Sequence, residues 1–131
     1  MAHFVSFVDG GCPGNGRPEA VEMFGSYKIF YENVENLIAH ETFTITHKNK
    51  TTNNIAEAQS LHFLLKAIHG RQYLPNQVYM DSQLIVNQYK GIYRIKNHQL
   101  KEIFKAIEKY KHPEISISWI SGDEMKGILG H

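Results

Sequence analysis

The chain has 131 residues, a net charge of +1 at pH 7 and an apolar fraction of 42%, which excludes a disordered chain and fits one domain with a real core. No apolar run approaches the ~18–20 residues of a membrane span, and no signal-peptide pattern opens the chain. A single cysteine, Cys12, excludes an internal disulfide framework. We therefore expect one domain over residues 1–131, located in the reducing cytoplasm and without a membrane partner.

Three strands are predicted first along the chain. "HFVSFVDGG" is rich in β-forming residues and ends at a Gly/Pro cluster. "MFGSYKIFYEN" and "NLIAHETFTITHK" follow, joined by a short polar link. This pattern is typical of an antiparallel meander.

Helices and strands then alternate. "NIAEAQSLHFLLKAIHG" has apolar residues at helical spacing and is expected to stop at Gly70. The later predicted elements are a strand, a short helix, a longer helix, a strand and a short terminal helix: "NQVYMDS", "SQLIVNQYKG", "NHQLKEIFKAIEKYKH", "EISISWIS" and "GDEMKGILGH". The order predicts an α/β fold, in which helices pack on a mixed sheet.

Three acidic residues lie where a charge is costly. Asp9 and Asp81 each end an apolar strand, and Glu57 lies in the first turn of the first predicted helix. Because the carboxyl ends of neighbouring parallel strands meet at one edge of a sheet, we expect the three to lie together. Clustered carboxylates repel one another, and a hard divalent cation such as Mg²⁺ relieves that repulsion. Each acid alone is more simply a cap or loop residue, but together they predict a metal site.

Three motifs in chain order, "FVDGGCPGNG", "TTNNIAEAQ" and "VYMDSQLIVNQ", resemble type 1 ribonuclease H over almost the whole chain. The resemblance implies a ribonuclease H-like fold with a five-stranded mixed sheet. Its first three strands would be antiparallel, its fourth and fifth parallel to the first, and its helices would cover both faces.

The resemblance also implies an activity. The chain would be an endoribonuclease that hydrolyses the RNA strand of RNA/DNA hybrids and leaves 5′-phosphate and 3′-hydroxyl ends. Asp9, Glu57 and Asp81 would be its catalytic metal ligands, holding two Mg²⁺ or Mn²⁺ ions. We expect a monomer whose partner is hybrid nucleic acid, without an obligatory protein partner.

Substrate contacts follow from the same resemblance. Asn15, Asn53, Asn54 and Gln83 would line the minor groove of the hybrid, where uncharged amides can meet base edges and 2′-hydroxyl groups. Thr52 and Asn15 would bind a DNA-strand phosphate, although helix capping by Thr52 or Asn53 is an alternative. The other expected substrate contacts are Gly10, Gly11, Cys12 and Ser82.

Two of the expected contacts have competing explanations. Cys12 matches a position where some relatives carry a cysteine at the hybrid surface, but it could also be a small loop residue. Lys101, Lys105 and Lys109 share one face of a predicted helix. They predict phosphate contacts that salt weakens, or simply a solvated face.

The C-terminal end departs from the family pattern. The family usually has a fourth acid in the last helix, and "WISGDEMKGILGH" lacks both that motif and the loop histidine, whose place Asp123 takes. His131 is the candidate fourth catalytic metal ligand, because imidazole is an acceptable ligand. Asp123 or Glu124 could fill the role instead, or the sequence could be truncated before the missing aspartate.

Two other functions stay open. One is another nuclease of the same fold that cleaves double-stranded RNA or DNA junctions. The other is a catalytically weakened module that only binds hybrids.

Overall fold

A computed structural model describes residues 3–13, 22–46 and 51–130. Its strands there are β1 (Phe4–Gly11), β2 (Glu22–Tyr31), β3 (Leu37–Thr46), β4 (Asn76–Met80) and β5 (Ile115–Trp119). Its helices are α1 (Asn53–Arg71), α2 (Gln83–Tyr89), α3 (His98–Glu108) and α4 (Gly122–Leu129). Each predicted element is present in the predicted order. Over these ranges, no helix combines the length and apolarity that crossing a membrane requires.

The strands form one mixed sheet in the order β3-β2-β1-β4-β5. β2 is antiparallel to both β1 and β3, and β4 is parallel to both β1 and β5. The predicted α/β fold class and strand directions are therefore confirmed. In the β1–β4 register Phe7 pairs with Tyr79, which brings Asp9 and Asp81 level, two residues further on.

Helices cover both faces of the sheet because successive residues of β1 point to opposite sides. Val8 belongs to the larger core, which also contains buried residues of α1, α2 and α3. Its neighbour Phe7 packs on the other face with Phe30 of β2 and with Met125 and Leu129 of α4. The two-sided arrangement predicted for the sheet is confirmed.

Helix α1 begins and ends through side-chain and backbone caps. The Thr52 side chain accepts a hydrogen bond from the Ile55 N–H at 3.3 Å. At the other end the helix runs past Gly70 to Arg71, and Gln72 takes the left-handed position, with φ 56°. The expected stop at Gly70 was wrong, because Gln72 and not a glycine takes the left-handed conformation that ends the helix. The helical stripe in the core is Ile55, Ala58, Leu61, Leu64, Leu65 and Ile68.

Two glycines bring α1 unusually close to the sheet. Gly10 and Gly25 are neighbours across the β1–β2 pairing, and we call them the glycine pair. A Cβ at Gly10 would lie 2.6 Å from both the Ala56 carbonyl oxygen and Ser60 Oγ, and a Cβ at Gly25 would overlap Ser60 Oγ. The Ser60 hydroxyl donates to the Ala56 carbonyl at 2.7 Å, so these polar atoms satisfy each other. This contact positions α1, and therefore Glu57, over β1.

We expect Gly10→Ala to lower the free energy of unfolding by about 1–3 kcal/mol, because the added methyl group overpacks the helix–sheet contact. Gly70→Ala is the matched control on the same helix, since nothing lies within 4 Å of its Cβ position. It should be neutral or stabilising by up to about 1 kcal/mol. Urea denaturation followed by circular dichroism measures both. Equal stability of Gly10→Ala and the wild type would contradict the close packing.

Candidate metal centre

Three carboxylates meet at the edge of the sheet where β1 and β4 end. Ligand oxygens of Asp9, Glu57 and Asp81 all lie within 4.8 Å of one another, and each residue is half-buried. In the described part of the chain, no other group of histidine, cysteine or acidic side chains is arranged in this way. The predicted convergence is found. One detail differs: Glu57 is the fifth residue of α1, so it lies in the second turn and not in the first.

Asp9 interacts directly with Asp81 in the cluster. Burial, followed by the charge of Asp81, raises the pKa of Asp9 from 3.8 to about 7. A hydrogen bond between the two carboxyl groups also raises this pKa, as expected for two acids that share a proton. The Gly10 backbone N–H donates to the Asp9 carboxylate and partly offsets the shift.

Glu57 has a similar environment. Burial is the main factor that raises the pKa of Glu57 from 4.5 to about 7, and the charges of Asp81 and Asp9 add to it. A hydrogen bond from Ser82 favours the charged form and limits the rise. Three carboxylates that repel one another are stabilised by a nearby positive charge, and carboxylate oxygens are the ligands that hard divalent cations prefer. These residues therefore fit Mg²⁺ or Mn²⁺.

Ser82 serves two elements at once. Its side chain hydrogen-bonds the Glu57 carboxylate and also accepts from the Ile85 N–H at 3.2 Å, which caps α2. The predicted substrate contact therefore falls on a residue that orients Glu57. A ligand's own hydrogen-bond partners commonly set its orientation, so Ser82 acts on the cluster from within the protein.

Trp119 forms a hydrogen bond with the backbone of Asp81, and the sequence pattern did not predict this contact. Its Nε1–H donates to the backbone carbonyl of Asp81 at 3.1 Å, which links the end of β5 to the end of β4. The ring is 46% exposed. The only available signal was a tryptophan at the end of the last predicted strand. A tryptophan at such a position has an apolar ring that can cover a surface and an N–H group that needs a hydrogen-bond acceptor.

The loop after β1 is tied to α1 by Asn53. The Asn53 Oδ1 accepts from the Cys12 N–H at 2.8 Å, while Thr52 caps the helix. Of the two capping alternatives, Thr52 is therefore the cap. The Cys12 side chain is only 5% exposed, and its expected contact with the hybrid stays a prediction. The thiol's neighbour is the Pro13 carbonyl oxygen, at 3.7 Å.

The other expected substrate residues differ in their exposure. Asn54 and Gln83 are exposed, as contact with a groove requires. Gly11 faces Phe24, whose ring would lie 2.6 Å from a Cβ at that position. Asn15 falls outside the described residues, so its expected contacts stay a prediction.

The predicted lysine face is found on α3. Lys101 and Lys105 are both exposed, and Lys105 forms an ion pair with Glu102 at 3.1 Å. Exposed pairs of this kind contribute only about 0–1 kcal/mol, so the ion pair leaves Lys105 able to exchange Glu102 for a phosphate.

The expected fourth metal ligand stays a prediction, with His131, Asp123 and Glu124 as its candidates. Asp123 and Glu124 are exposed in the first turn of α4, and in the described ranges neither belongs to the carboxylate cluster. Glu124 instead takes part in capping: its N–H donates to Ser121 Oγ at 3.2 Å, and its carboxylate lies 3.5 Å from the same atom. His131 lies outside the described residues and remains the proposed candidate.

Comparisons with known proteins agree with the fold. No family model matches the sequence. The chain is similar to the N-terminal RNase H domain of Rv2228c from Mycobacterium tuberculosis, with 20% identity and a TM-score of 0.77 over 98% of this chain and 88% of that one. It is also similar to LC11-RNase H1 in complex with an RNA/DNA hybrid, with 24% identity and a TM-score of 0.73 over 95% of this chain and 90% of that one.

A third similar structure is RNase H1 from the halophilic archaeon Halobacterium salinarum. It has 19% identity and a TM-score of 0.74, over 95% of this chain and 89% of that one. These likenesses show that the chain has the ribonuclease H fold. The resemblance to type 1 ribonuclease H is confirmed at that level.

The cluster predicts how stability depends on pH. Asp9 and Glu57 bind protons more tightly in the folded chain than in the unfolded one. The metal-free protein should therefore lose stability as pH rises from about 4 to about 7. Asp9→Asn should make this decline shallower because one of the two groups no longer titrates. Chemical denaturation at several pH values in a chelator measures the slope.

Glu35→Gln is the control, because Glu35 lies outside the cluster, in the link between β2 and β3. Its slope should match that of the wild type. A slope for Asp9→Asn that equals the wild-type slope would contradict the raised pKa of Asp9 in the folded protein.

Proposed function

We propose that the chain is an endoribonuclease that hydrolyses the RNA strand of RNA/DNA hybrids and leaves 5′-phosphate and 3′-hydroxyl ends. The observation that carries the proposal is the cluster of Asp9, Glu57 and Asp81, whose ligand oxygens lie within 4.8 Å on a ribonuclease H fold. One of the similar proteins was solved in complex with an RNA/DNA hybrid, which supports this substrate class.

Under this proposal Asp9, Glu57 and Asp81 hold two Mg²⁺ or Mn²⁺ ions, with His131 as a fourth ligand. The chemistry that such a pair of ions supplies is activation of water and stabilisation of the leaving oxygen. The residues of the chain keep the ligands in place. Ser82 orients Glu57 through their hydrogen bond, and the Trp119 N–H holds the backbone of Asp81.

Substrate recognition would use the polar surface beside the carboxylates. Asn54 and Gln83 are exposed and lie close in sequence to Glu57 and Asp81, respectively. Uncharged amides can accept from or donate to base edges and 2′-hydroxyl groups, which suits recognition that depends little on sequence. The further proposed contacts are Asn15, Thr52, Asn53, Gly10, Gly11 and Cys12.

The two alternative functions differ from the proposed one in which nucleic acid is preferred or in whether the hybrid is cleaved. A nuclease of the same fold with another specificity would prefer double-stranded RNA or a DNA junction to the hybrid. A module that only binds would retain the hybrid without cleaving it. The cost of holding three repelling carboxylates favours a catalytic site, since a binding module gains nothing from that repulsion.

We expect Asp9→Asn to reduce hybrid cleavage by at least about 100-fold while hybrid binding is retained, because the amide keeps the shape but loses the charge that holds the cation. Glu35→Gln, which changes an exposed acid in the link between β2 and β3, should cleave like the wild type. A labelled RNA/DNA hybrid, titrated separately with Mg²⁺ and Mn²⁺, measures both. Unchanged turnover in Asp9→Asn would refute the proposed metal site.

The same titration examines the proposed fourth ligand. His131→Ala should raise the metal concentration needed for half-maximal cleavage. Unchanged cleavage would show that the three carboxylates suffice without His131.

We also expect Lys101→Ala combined with Lys105→Ala to weaken hybrid binding and to flatten its salt dependence. Each lost phosphate contact should reduce the slope of log K against log salt by about 0.9. Lys126→Ala, an exposed lysine on α4, is the charge-matched control. Fluorescence anisotropy in a chelator over a salt series measures the slope. An unchanged slope in the double variant would mean that this face of α3 is only solvated.

A further inference from the structure

Trp119 is the one tryptophan of the chain, and it is the last residue of β5. In the register with β4 it pairs with Met80, the residue before Asp81. Because side chains alternate along a strand, Trp119 points to the same face as Ile115 and Ile117, which are buried in the larger core. This alternation predicts a buried side chain, but Trp119 is 46% exposed. The ring therefore lies where the core ends, at the rim of the sheet.

A hydrogen bond fixes the direction of the exposed ring. Its Nε1–H donates to the backbone carbonyl of Asp81 at 3.1 Å, so rotation of the ring would break that bond. The next residue, Ile120, donates its N–H to the Met80 carbonyl at 2.8 Å, which keeps the chain at this point paired with β4. Among the residues that the structure describes, no aromatic ring or cation stacks on Trp119. A fixed and uncovered apolar ring loses little conformational freedom when a ligand covers it.

The position of β5 places this ring beside the carboxylate cluster. The sheet order puts β1, β4 and β5 side by side, and neighbouring strands are about 4.8 Å apart. The end of β5 is therefore about 5 Å from the end of β4 and about 10 Å from the end of β1. Nucleotides of one strand are spaced by about 3.4 Å, so these distances correspond to about one to three nucleotides. A nucleic acid that lies on the cluster also extends over the end of β5.

The sugar of a duplex is the group that this ring can contact. Bases in a duplex are stacked on one another, so their faces are not open to an aromatic side chain. The shallow minor groove of an A-form duplex instead presents sugars at its surface. Gln83, the first residue of α2, is exposed as a proposed groove contact, and α2 also contacts β5. The ring thus adds an apolar part to the same proposed groove-binding surface.

We propose that the exposed face of Trp119 packs against a sugar of the hybrid, within about three nucleotides of the scissile phosphate. The N–H group of the same side chain holds the backbone of Asp81. One residue therefore links hybrid binding to the position of a metal ligand, because a hybrid that covers the ring also restrains the Asp81 carbonyl. The inference rests on the proposed function for the identity of the ligand.

The single tryptophan makes the contact measurable without any substitution, because selectively excited tryptophan emission comes only from Trp119. The full chain is titrated with an RNA/DNA hybrid in a chelator, which prevents cleavage. Acrylamide quenching of the emission measures the exposure of the ring, and the anisotropy of a labelled hybrid measures the fraction bound. The quenching constant should fall in step with hybrid binding. Hybrid that binds without any fall in the quenching constant would overturn the proposal.

Two variants separate the ring from its N–H group. Trp119→Phe keeps an apolar ring and should bind the hybrid with a Kd within about 2-fold of the wild type, whereas Trp119→Ala should raise the Kd by about 3–10-fold. Leu37→Ala is the matched control: Leu37 is a 49% exposed apolar residue, and its partner Phe30 pairs with Val5 at the far end of β1. Its Kd should be unchanged. Equal hybrid affinity of Trp119→Ala and the wild type would overturn the ring contact.

The link to Asp81 has its own measurement. Trp119→Phe should raise the Kd for Mn²⁺ by about 10-fold in isothermal titration calorimetry without hybrid, because the residue that restrains a ligand contributes to metal affinity. Circular dichroism checks that each variant is folded. Unchanged Mn²⁺ affinity in folded Trp119→Phe would overturn the link between the ring and the metal site.

The quenching and affinity results do not depend on turnover. A wild-type protein that cleaves the hybrid while its tryptophan stays equally open to acrylamide would refute the inference and leave the proposed function intact. Protection of the ring by a hybrid that is bound but never cleaved, with Mg²⁺ or Mn²⁺ present, would support the contact and refute the proposed activity. The absence of hybrid binding would overturn both.

Discussion

The contact between α1 and β1 positions the whole candidate site. The glycine pair allows the helix backbone at Ala56 to approach the sheet to a distance that a Cβ would not permit. Because Glu57 follows Ala56, this approach brings its carboxylate level with the end of β1. The parallel pairing of β1 with β4 then aligns Asp9 with Asp81. Three side chains separated widely along the sequence thus share one edge through backbone packing.

The cluster is held against an electrostatic cost. Burial raises the pKa of both Asp9 and Glu57 to about 7, and the charges of neighbouring acids add to the effect. A fold that needed only stability would separate these groups or replace one by an apolar residue. Here the surrounding hydrogen bonds, from the Gly10 N–H and from Ser82, stabilise the charged forms. The arrangement is understandable if a cation supplies the missing positive charge.

Residues around the cluster combine structural and proposed functional tasks. Ser82 caps α2 while it orients Glu57, and Asn53 ties the loop after β1 to α1.

The sequence by itself determined the elements, the α/β class and the three acids. Hydrophobic periodicity and glycine-rich breaks are local signals, and Asp9 and Asp81 follow directly from where apolar strands end. Only the tertiary structure decided the burial of Cys12, the capping role of Glu124 and the hydrogen bond from Trp119 to Asp81. Side-chain direction at a strand end or in a turn depends on what packs against it. That neighbour comes from a distant part of the chain, so no local pattern can specify it.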